Sequence, residues 1–131
     1  MDRVLVILLW LFVGLSLLNG MEMLVLPRYW YTQTPGVAEA GAFNIHFIRD
    51  IGIAFLTASL ALGWGLARPR WRRPMLLIAL IWFGGHAALH GVEIAWSSGY
   101  REGLWVELAA IIAPSLLMLI LFWRTPKSGA A

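Results

Sequence analysis

Cysteine is absent from this chain of 131 residues, and charged residues are scarce, at 13% of the composition. Without a thiol, the sequence excludes disulfides, thiolate metal sites, iron–sulfur clusters and cysteine catalysis. Hydrophobic residues make up 60%, whereas soluble domains are about 45–50% apolar. The net charge of +3 comes from basic residues in short loops, so it gives no signal for nucleic-acid binding. The composition predicts an integral membrane protein.

Four long apolar segments divide the chain, and we expect each to be a transmembrane helix, since about 20 apolar residues cross a hydrocarbon core. For the first segment a signal peptide is the alternative, because Ala38-Glu39-Ala40 resembles a cleavage site. That segment is too long, and it ends too far from the site, for this alternative. The predicted fold is one all-α transmembrane domain over 1–131, an up-down-up-down four-helix bundle with helices at about 4–26, 43–67, 75–96 and 104–123.

The connections and one helix face add detail to this prediction. The segment 27–42 reads as a loop whose aromatic triplet, 29–31, anchors at the membrane interface, with a binding surface as the alternative. Pro114 predicts a kink in the fourth helix. In the third helix, small residues recur at a spacing of four, and such rows allow close helix packing in lipid. They are Gly84, Ala87, Ala88, Gly91 and Ala95.

Basic residues predict the orientation. If the N-terminus is cytoplasmic, seven Lys and Arg residues lie on that side and two lie on the other, as the positive-inside rule favours. Both termini are therefore expected to be cytoplasmic, and the chain is expected to be a multi-pass protein of a bacterial inner membrane. The seven are Arg3, Arg68, Arg70, Arg72, Arg73, Arg124 and Lys127, and the two are Arg28 and Arg101.

The third apolar segment contains His86, His90 and Glu93. On a helix these positions fall within about 60° of one another, so two imidazoles and a carboxylate form one stripe. An ionisable residue inside a membrane is costly, and by default it indicates a functional site.

The other three segments carry polar residues at the same predicted depth, in the outer half of the membrane. We expect the bundle to turn them inward, because lipid-facing charges cost about 2.5–3.5 kcal/mol each on insertion scales. Glu107, and to a lesser degree Glu22, lie close enough to the interface to reach water instead. The residues are Asn19 and Glu22 on the first helix, His46, Arg49 and Asp50 on the second, and Glu107 on the fourth.

The predicted cluster contains four carboxylates and one arginine, a net charge of −3 with neutral imidazoles. Either protons or a metal cation must neutralise it in a dry interior. Three imidazoles with carboxylates suit Fe, Cu, Zn or Mn. The predicted metal ligands are His46, Asp50, His86, His90, Glu93 and Glu22. Arg49 and Asn44 are the predicted cofactor-binding residues, and no catalytic residue is assigned.

A metal site is the favoured interpretation, and it would allow oxidative chemistry on a lipophilic small molecule. The alternatives are a purely structural polar network with Arg49 paired to a carboxylate, haem b held by His46 with His86 or His90, and a proton or quinone site. A structural network would suit a non-enzymatic accessory subunit or small-molecule carrier. The expected partners are the lipid bilayer and either further copies of the chain or a larger membrane complex.

The segment Phe43-Asn44-Ile45-His46-Phe47-Ile48-Arg49-Asp50-Ile51-Gly52, with His86-x-x-x-His90 downstream, resembles small bacterial four-helix membrane proteins. In size and helix count these are similar to DoxX-like proteins. The resemblance implies a four-helix membrane fold and brings no activity with it. Because the chain has no cysteine pair, a thiol-linked oxidoreductase role is out of reach.

Overall fold

The structure, a computed structural model, describes residues 3–96 and 104–126, and within these ranges the chain forms helices and no strand. Three helical segments are long and apolar enough to cross a membrane: Arg3–Val25, Ile45–Ala67 and Pro69–Trp96. A fourth apolar segment, Leu108–Arg124, is shorter. The helices are α1 (Arg3–Val25), α2 (Pro27–Gln33), α3 (Val37–Ala40), α4 (Ile45–Ala67), α5 (Arg72–Trp96), α6 (Leu104–Glu107) and α7 (Ala113–Arg124).

The helices α1 and α4 approach each other closely at two glycines. A Cβ atom built on Gly20 would lie 2.9 Å from the carbonyl oxygen of Gly52, and a Cβ on Gly52 would lie 2.9 Å from that of Gly20. Only glycine at both positions allows the two backbones to come this close, as at other small-residue contacts between membrane helices. The two glycines of the α5 row make no such contact, because a Cβ on Gly91 would meet nothing within 4 Å and a Cβ on Gly84 would meet only Leu80 of the same helix.

The apolar core lies at one end of the helices. Phe12 packs edge-to-face on Phe83 at its border, with ring centroids 4.8 Å apart. The core joins residues from the first half of α1 and α5 with residues from the second half of α4 and α7. They are Leu5, Leu9, Val13, Ala58, Leu62, Leu66, Leu76, Ala79, Phe83, Met118 and Leu121.

The fourth apolar segment is helical but not uniformly α-helical. A π-helical turn at Leu108–Ile112 separates α6 from α7, and Pro114 lies in the first turn of α7. The sequence predicted a kink at Pro114. The irregularity in the structure is a widened turn, and it ends just before the proline. Ser115 fixes this segment to α5, because its buried hydroxyl lies within hydrogen-bonding distance of the carbonyls of Ile111 and Phe83, at 2.9 and 3.0 Å, and its one hydrogen is shared between them.

The connection between the first two long helices is more ordered than expected. The predicted loop 27–42 contains α2 and α3. Trp30 of the aromatic triplet turns back and donates from Nε1 to Asn19 Oδ1 at 2.8 Å, while Tyr31 donates to the carbonyl of Gly41 at 2.7 Å. Pro27 begins α2, as its fixed φ favours at a helix start. The predicted turn 97–103 and the tail from Lys127 lie outside the described residues.

The arginine-rich connection is short, because α5 begins at Arg72 rather than at the predicted residue 75. Arg72 Nε donates to the carbonyl of Gly65 at 3.3 Å, at the end of α4. Arg73 donates to the carbonyls of Phe122 and Thr125 at 3.2 and 2.7 Å, at the end of α7. Both arginines therefore donate to carbonyls in the last turn or cap of a helix, where intrahelical partners run out.

Candidate functional site: a His–Glu cluster between α5 and α6

Four of the polar residues that the sequence singled out come together at the end of the helices opposite the apolar core. We call His86, His90, Glu93 and Glu107 the His–Glu cluster. His90 Nδ1 lies 3.3 Å from Glu107 Oε2 and 3.9 Å from Glu93 Oε2. The rings of His86 and His90 meet edge-to-face with centroids 4.7 Å apart. The cluster thus joins both histidines of the predicted stripe to a carboxylate from a different helix.

Exposure decreases from the outer edge of the cluster toward its centre. The side chain of Glu93 is 49% exposed, that of His90 is 23% exposed and that of Glu107 is 16% exposed. A hydrogen bond between an imidazolium and a carboxylate is stronger than a neutral one and gains further when water is largely excluded. His90 and Glu107 therefore form the best-protected pair of the cluster.

Aromatic rings close the cluster on its inner side. The His86 ring stacks on Trp82, with an interplanar angle of 4° and centroids 5.9 Å apart, and it meets the edge of Phe55 from α4 at 5.9 Å. Phe55 in turn contacts Phe83, with centroids 5.8 Å apart. Trp82 and Phe55 thus form an aromatic floor between the His–Glu cluster and the apolar core, to which Phe83 belongs.

Within the part of the chain that the structure describes, two buried polar atoms near this floor have no hydrogen-bond partner: Trp82 Nε1 and Ser59 Oγ. Trp82 belongs to the same face as the histidines, since positions 82, 86, 90 and 93 share one helix stripe. Trp82 was not among the predicted site residues, although its position four residues before His86 places it on the same helix face.

The π-helical turn explains how Glu107 reaches His90. Ser115 contacts α5 at Phe83, and Glu107 contacts it at His90. Glu107 and Ser115 are eight positions apart on the fourth segment, whereas the residues that they contact, His90 and Phe83, are seven positions apart on α5. A π-helical turn accommodates one additional residue, and such turns are frequent at functional sites. It lies at Leu108–Ile112, directly after Glu107.

The predicted α4 stripe does not join the cluster. The side chain of His46 is 87% exposed and that of Asp50 is 58% exposed, and the two contact each other at 3.7 Å. Arg49 is also exposed and donates from Nε to the carbonyl of Leu24 at the end of α1. The prediction that these three residues face a common enclosed cavity is wrong, because α4 turns the opposite face, with Ile48 and Gly52, toward the other helices.

The remaining predicted residues have structural partners or lie apart. Asn44 is the N-cap of α4, and its Oδ1 accepts from the backbone N–H groups of His46 and Phe47, both at 3.1 Å. Asn19 accepts from Trp30. Glu22 is half-buried on α1 and takes no part in the contacts that join the His–Glu cluster.

The geometry bears on the predicted metal site. Among residues 3–96 and 104–126, no group of three or more His, Asp or Glu side chains is placed to hold a metal ion. The six predicted ligands are therefore not assembled as one coordination shell. His86 and His90 remain adjacent, with Glu107 behind His90.

No protein-family model matches this chain, and neither a curated protein nor a solved structure is similar to it at a significant level.

Proposed function

We propose that this chain is a multi-pass protein of a bacterial inner membrane, an up-down-up-down four-helix bundle with both termini cytoplasmic. Three helices of sufficient length and apolarity support this proposal. So does the core, in which the starts of α1 and α5 pack against the ends of α4 and α7. In this arrangement α6, the π-helical turn and α7 form the fourth span, and the His–Glu cluster lies in the half of the membrane away from the cytoplasm.

The His–Glu cluster is, in this proposal, a proton-accepting site that opens to the non-cytoplasmic side. The observation that carries it is the 3.3 Å contact between His90 Nδ1 and Glu107 Oε2. Imidazole exchanges protons near neutral pH, and a neighbouring carboxylate fixes its ring and stabilises its charged form. The half-exposed Glu93 supplies a route to water, and the His86 ring extends the site inward to the aromatic floor.

Such a site would serve a membrane-dissolved reactant or ligand as a general base, or couple its binding to proton uptake. It would not conduct protons across the membrane, because the aromatic floor and the apolar core lie beneath it. If the cluster only stabilises the bundle, the chain is instead a non-enzymatic accessory subunit or carrier, as the sequence also allowed.

A metal site remains the second candidate, in a form reduced to two protein ligands. His86 and His90 are four residues apart on one helix with adjacent rings. The carboxylate at His90 Nδ1 leaves Nε2 available, and metal-bound histidines commonly have such a carboxylate partner. Fe, Cu or Zn would be suitable, and oxidative chemistry on a lipophilic substrate belongs to this candidate. Haem b is not favoured, because exposed His46 lies outside the cluster.

Nitrogen-15 NMR of histidine-labelled protein in lipid nanodiscs tests the proton-accepting site. We expect the His90 Nδ1 signal to show a proton directed at the Glu107 carboxylate, and Glu107→Gln to change that signal because the charged partner is lost. Asp50→Asn is the matched control, since Asp50 contacts only His46 among the histidines. A His90 signal that is the same in the wild type and in Glu107→Gln, or that responds equally to both variants, would refute the proposal.

Elemental analysis of protein purified without chelator tests the metal candidate separately. Near-stoichiometric Fe, Cu or Zn should be lost in His86→Ala and His90→Ala and retained in His46→Ala, whose side chain is exposed on α4. Folded wild-type protein that takes up none of these metals when they are offered would exclude the metal candidate and leave the proton-accepting site unaffected.

A further inference from the structure

A largely apolar groove lies between α5 and α7, on the side away from the His–Glu cluster. Its volume is about 510 Å³, within the range of about 300–1,000 Å³ that ligand sites occupy. The lining is almost entirely apolar, and its small residues on α5 follow the larger ones toward the C-terminal end of that helix. It includes Leu77, Ile81, Gly84, Ala88, Leu119 and Phe122.

A cation, Arg73, lies at the end of this groove that is nearest the start of α5. Arg73 belongs to the same α5 face as Leu77 and Gly84, since positions 73, 77, 80 and 84 follow helical spacing. Its guanidinium lies 4.2 Å from the centroid of the Phe122 ring, and Phe122 lines the groove. Arg73 donates two hydrogen bonds to the end of α7, and a guanidinium has five N–H donors. Donors therefore remain for an anion at the mouth of the groove.

The surrounding surface favours an anion as well. The described residues at this end of the helices include six arginines and no Asp or Glu. Arg68 and Arg70 each lie over a tryptophan ring, at 6.0 and 5.9 Å from the centroid. Tryptophan and arginine side by side are typical of the membrane interface, where basic residues attract anionic headgroups.

The length of the groove fits one lipid chain. From Leu77 to Ala88 the α5 helix rises about 16 Å, and one leaflet contributes about half of a hydrocarbon core of about 30 Å. We propose that this groove binds an anionic phospholipid of the leaflet on the basic side, with an acyl chain between α5 and α7 and its phosphate at Arg73. This site is independent of the His–Glu cluster and of its proposed function.

The test compares phosphatidylglycerol with phosphatidylcholine of identical acyl chains, added to protein in a neutral detergent. Native mass spectrometry should show phosphatidylglycerol retained about fivefold more tightly, the preference expected for one basic residue near the surface. It should also raise the unfolding temperature more than phosphatidylcholine. Glycerol phosphate, which has the headgroup charge and no chain, should do neither. Equal effects of the two lipids, or an equal effect of glycerol phosphate, would overturn the proposal.

Two neighbouring glycines provide a matched pair of variants. Gly84→Phe should fill the groove and abolish the retention of phosphatidylglycerol, because Gly84 lines it and only Leu80 of its own helix lies near its Cβ position. Gly85→Phe should leave retention unchanged, since Gly85 is exposed, faces open space and is outside the lining. Equal retention in both variants would overturn the proposal. A change of oligomeric state in Gly84→Phe without a change in lipid preference would do the same, since the groove would then hold a second copy.

Arg73→Gln should reduce the preference for phosphatidylglycerol, and Arg72→Gln is its control. Both arginines satisfy carbonyls at a helix end, so both variants lose a similar structural contact, but only Arg73 lies at the mouth of the groove. Loss of the preference in both variants to the same extent would show that only the general basic charge attracts the lipid and would overturn the assignment to Arg73.

Discussion

Glu107 Oε2 lies 3.3 Å from His90 Nδ1, although 17 positions separate the two residues in the sequence. The contact joins α6 to α5 at the open end of the helices, and a π-helical turn follows directly after Glu107. The proposed site depends on this contact, because the other partners of the histidines belong to α5 itself or are aromatic.

His90→Ala should lower the free energy of unfolding by about 1–3 kcal/mol, because it leaves a largely buried carboxylate of Glu107 without its imidazole. His90→Gln keeps hydrogen-bonding capacity and should cost less. Thermal unfolding in one detergent and at one pH would measure both. Glu93→Gln is the comparison for a half-exposed partner at 3.9 Å, where less than about 1 kcal/mol is expected. An equal loss in Glu93→Gln and His90→Ala would contradict the ranking.

Gly52→Ala should separate α1 from α4, because the added Cβ would lie 2.9 Å from both the Gly20 carbonyl oxygen and the Met23 Cβ. We expect a loss of about 1–3 kcal/mol, as for other overpacked sites. Gly14→Ala, on α1 with open space around its Cβ position, should be neutral or stabilising. The unfolding temperatures of the two variants in detergent would check this, and a neutral Gly52→Ala would show that the helices can move apart freely.

Asn44→Ala should destabilise the protein by about 1 kcal/mol, because Oδ1 of Asn44 caps two N–H groups of α4. Asn44→Asp, which retains a capping oxygen, should be close to wild type. The same two variants address the predicted cofactor-binding role. If a cofactor is bound through Asn44, binding should be lost in both variants, whereas a purely capping role makes only Asn44→Ala differ in thermal unfolding.

Fusions that report periplasmic location should be inactive after Ala131 and active after Gly36, as the proposed orientation requires. The physical reason is the excess of basic residues on the side of the Arg68–Arg73 connection. Activity after Ala131 with none after Gly36 would reverse the orientation and place the His–Glu cluster on the cytoplasmic side.

The sequence alone was sufficient to predict the long apolar helices and the stripe of His86, His90 and Glu93. Helical spacing determines which residues of one helix share a face, so no tertiary information was needed there. Whether Glu107 joins the site or reaches water could not be decided from the sequence, because this depends on how the fourth segment is set against α5 and on an added residue in a π-helical turn.

The direction in which α4 faces could not be predicted from its polar residues. Asp50 and Gly52 are two positions apart, which is about 200° around a helix, so only one of them can face α1. Periodicity shows which residues share a face of α4, but it does not show which face packs against the other helices. The close contact of Gly52 with Gly20 determines that face. The small residues of α4 were a better guide to its buried face than its histidine and aspartate.

The two arginines at the start of α5 have a consequence for biogenesis. Arg72 and Arg73 belong to the charge excess that would orient the nascent chain during insertion, and both also satisfy carbonyls at the ends of α4 and α7. A translocation machinery would respond to their charge before the helices associate, whereas the folded bundle uses their N–H groups afterwards. Substitutions meant to invert the chain would therefore also fray two helix ends, so topogenic and conformational defects would arise together in any such variant.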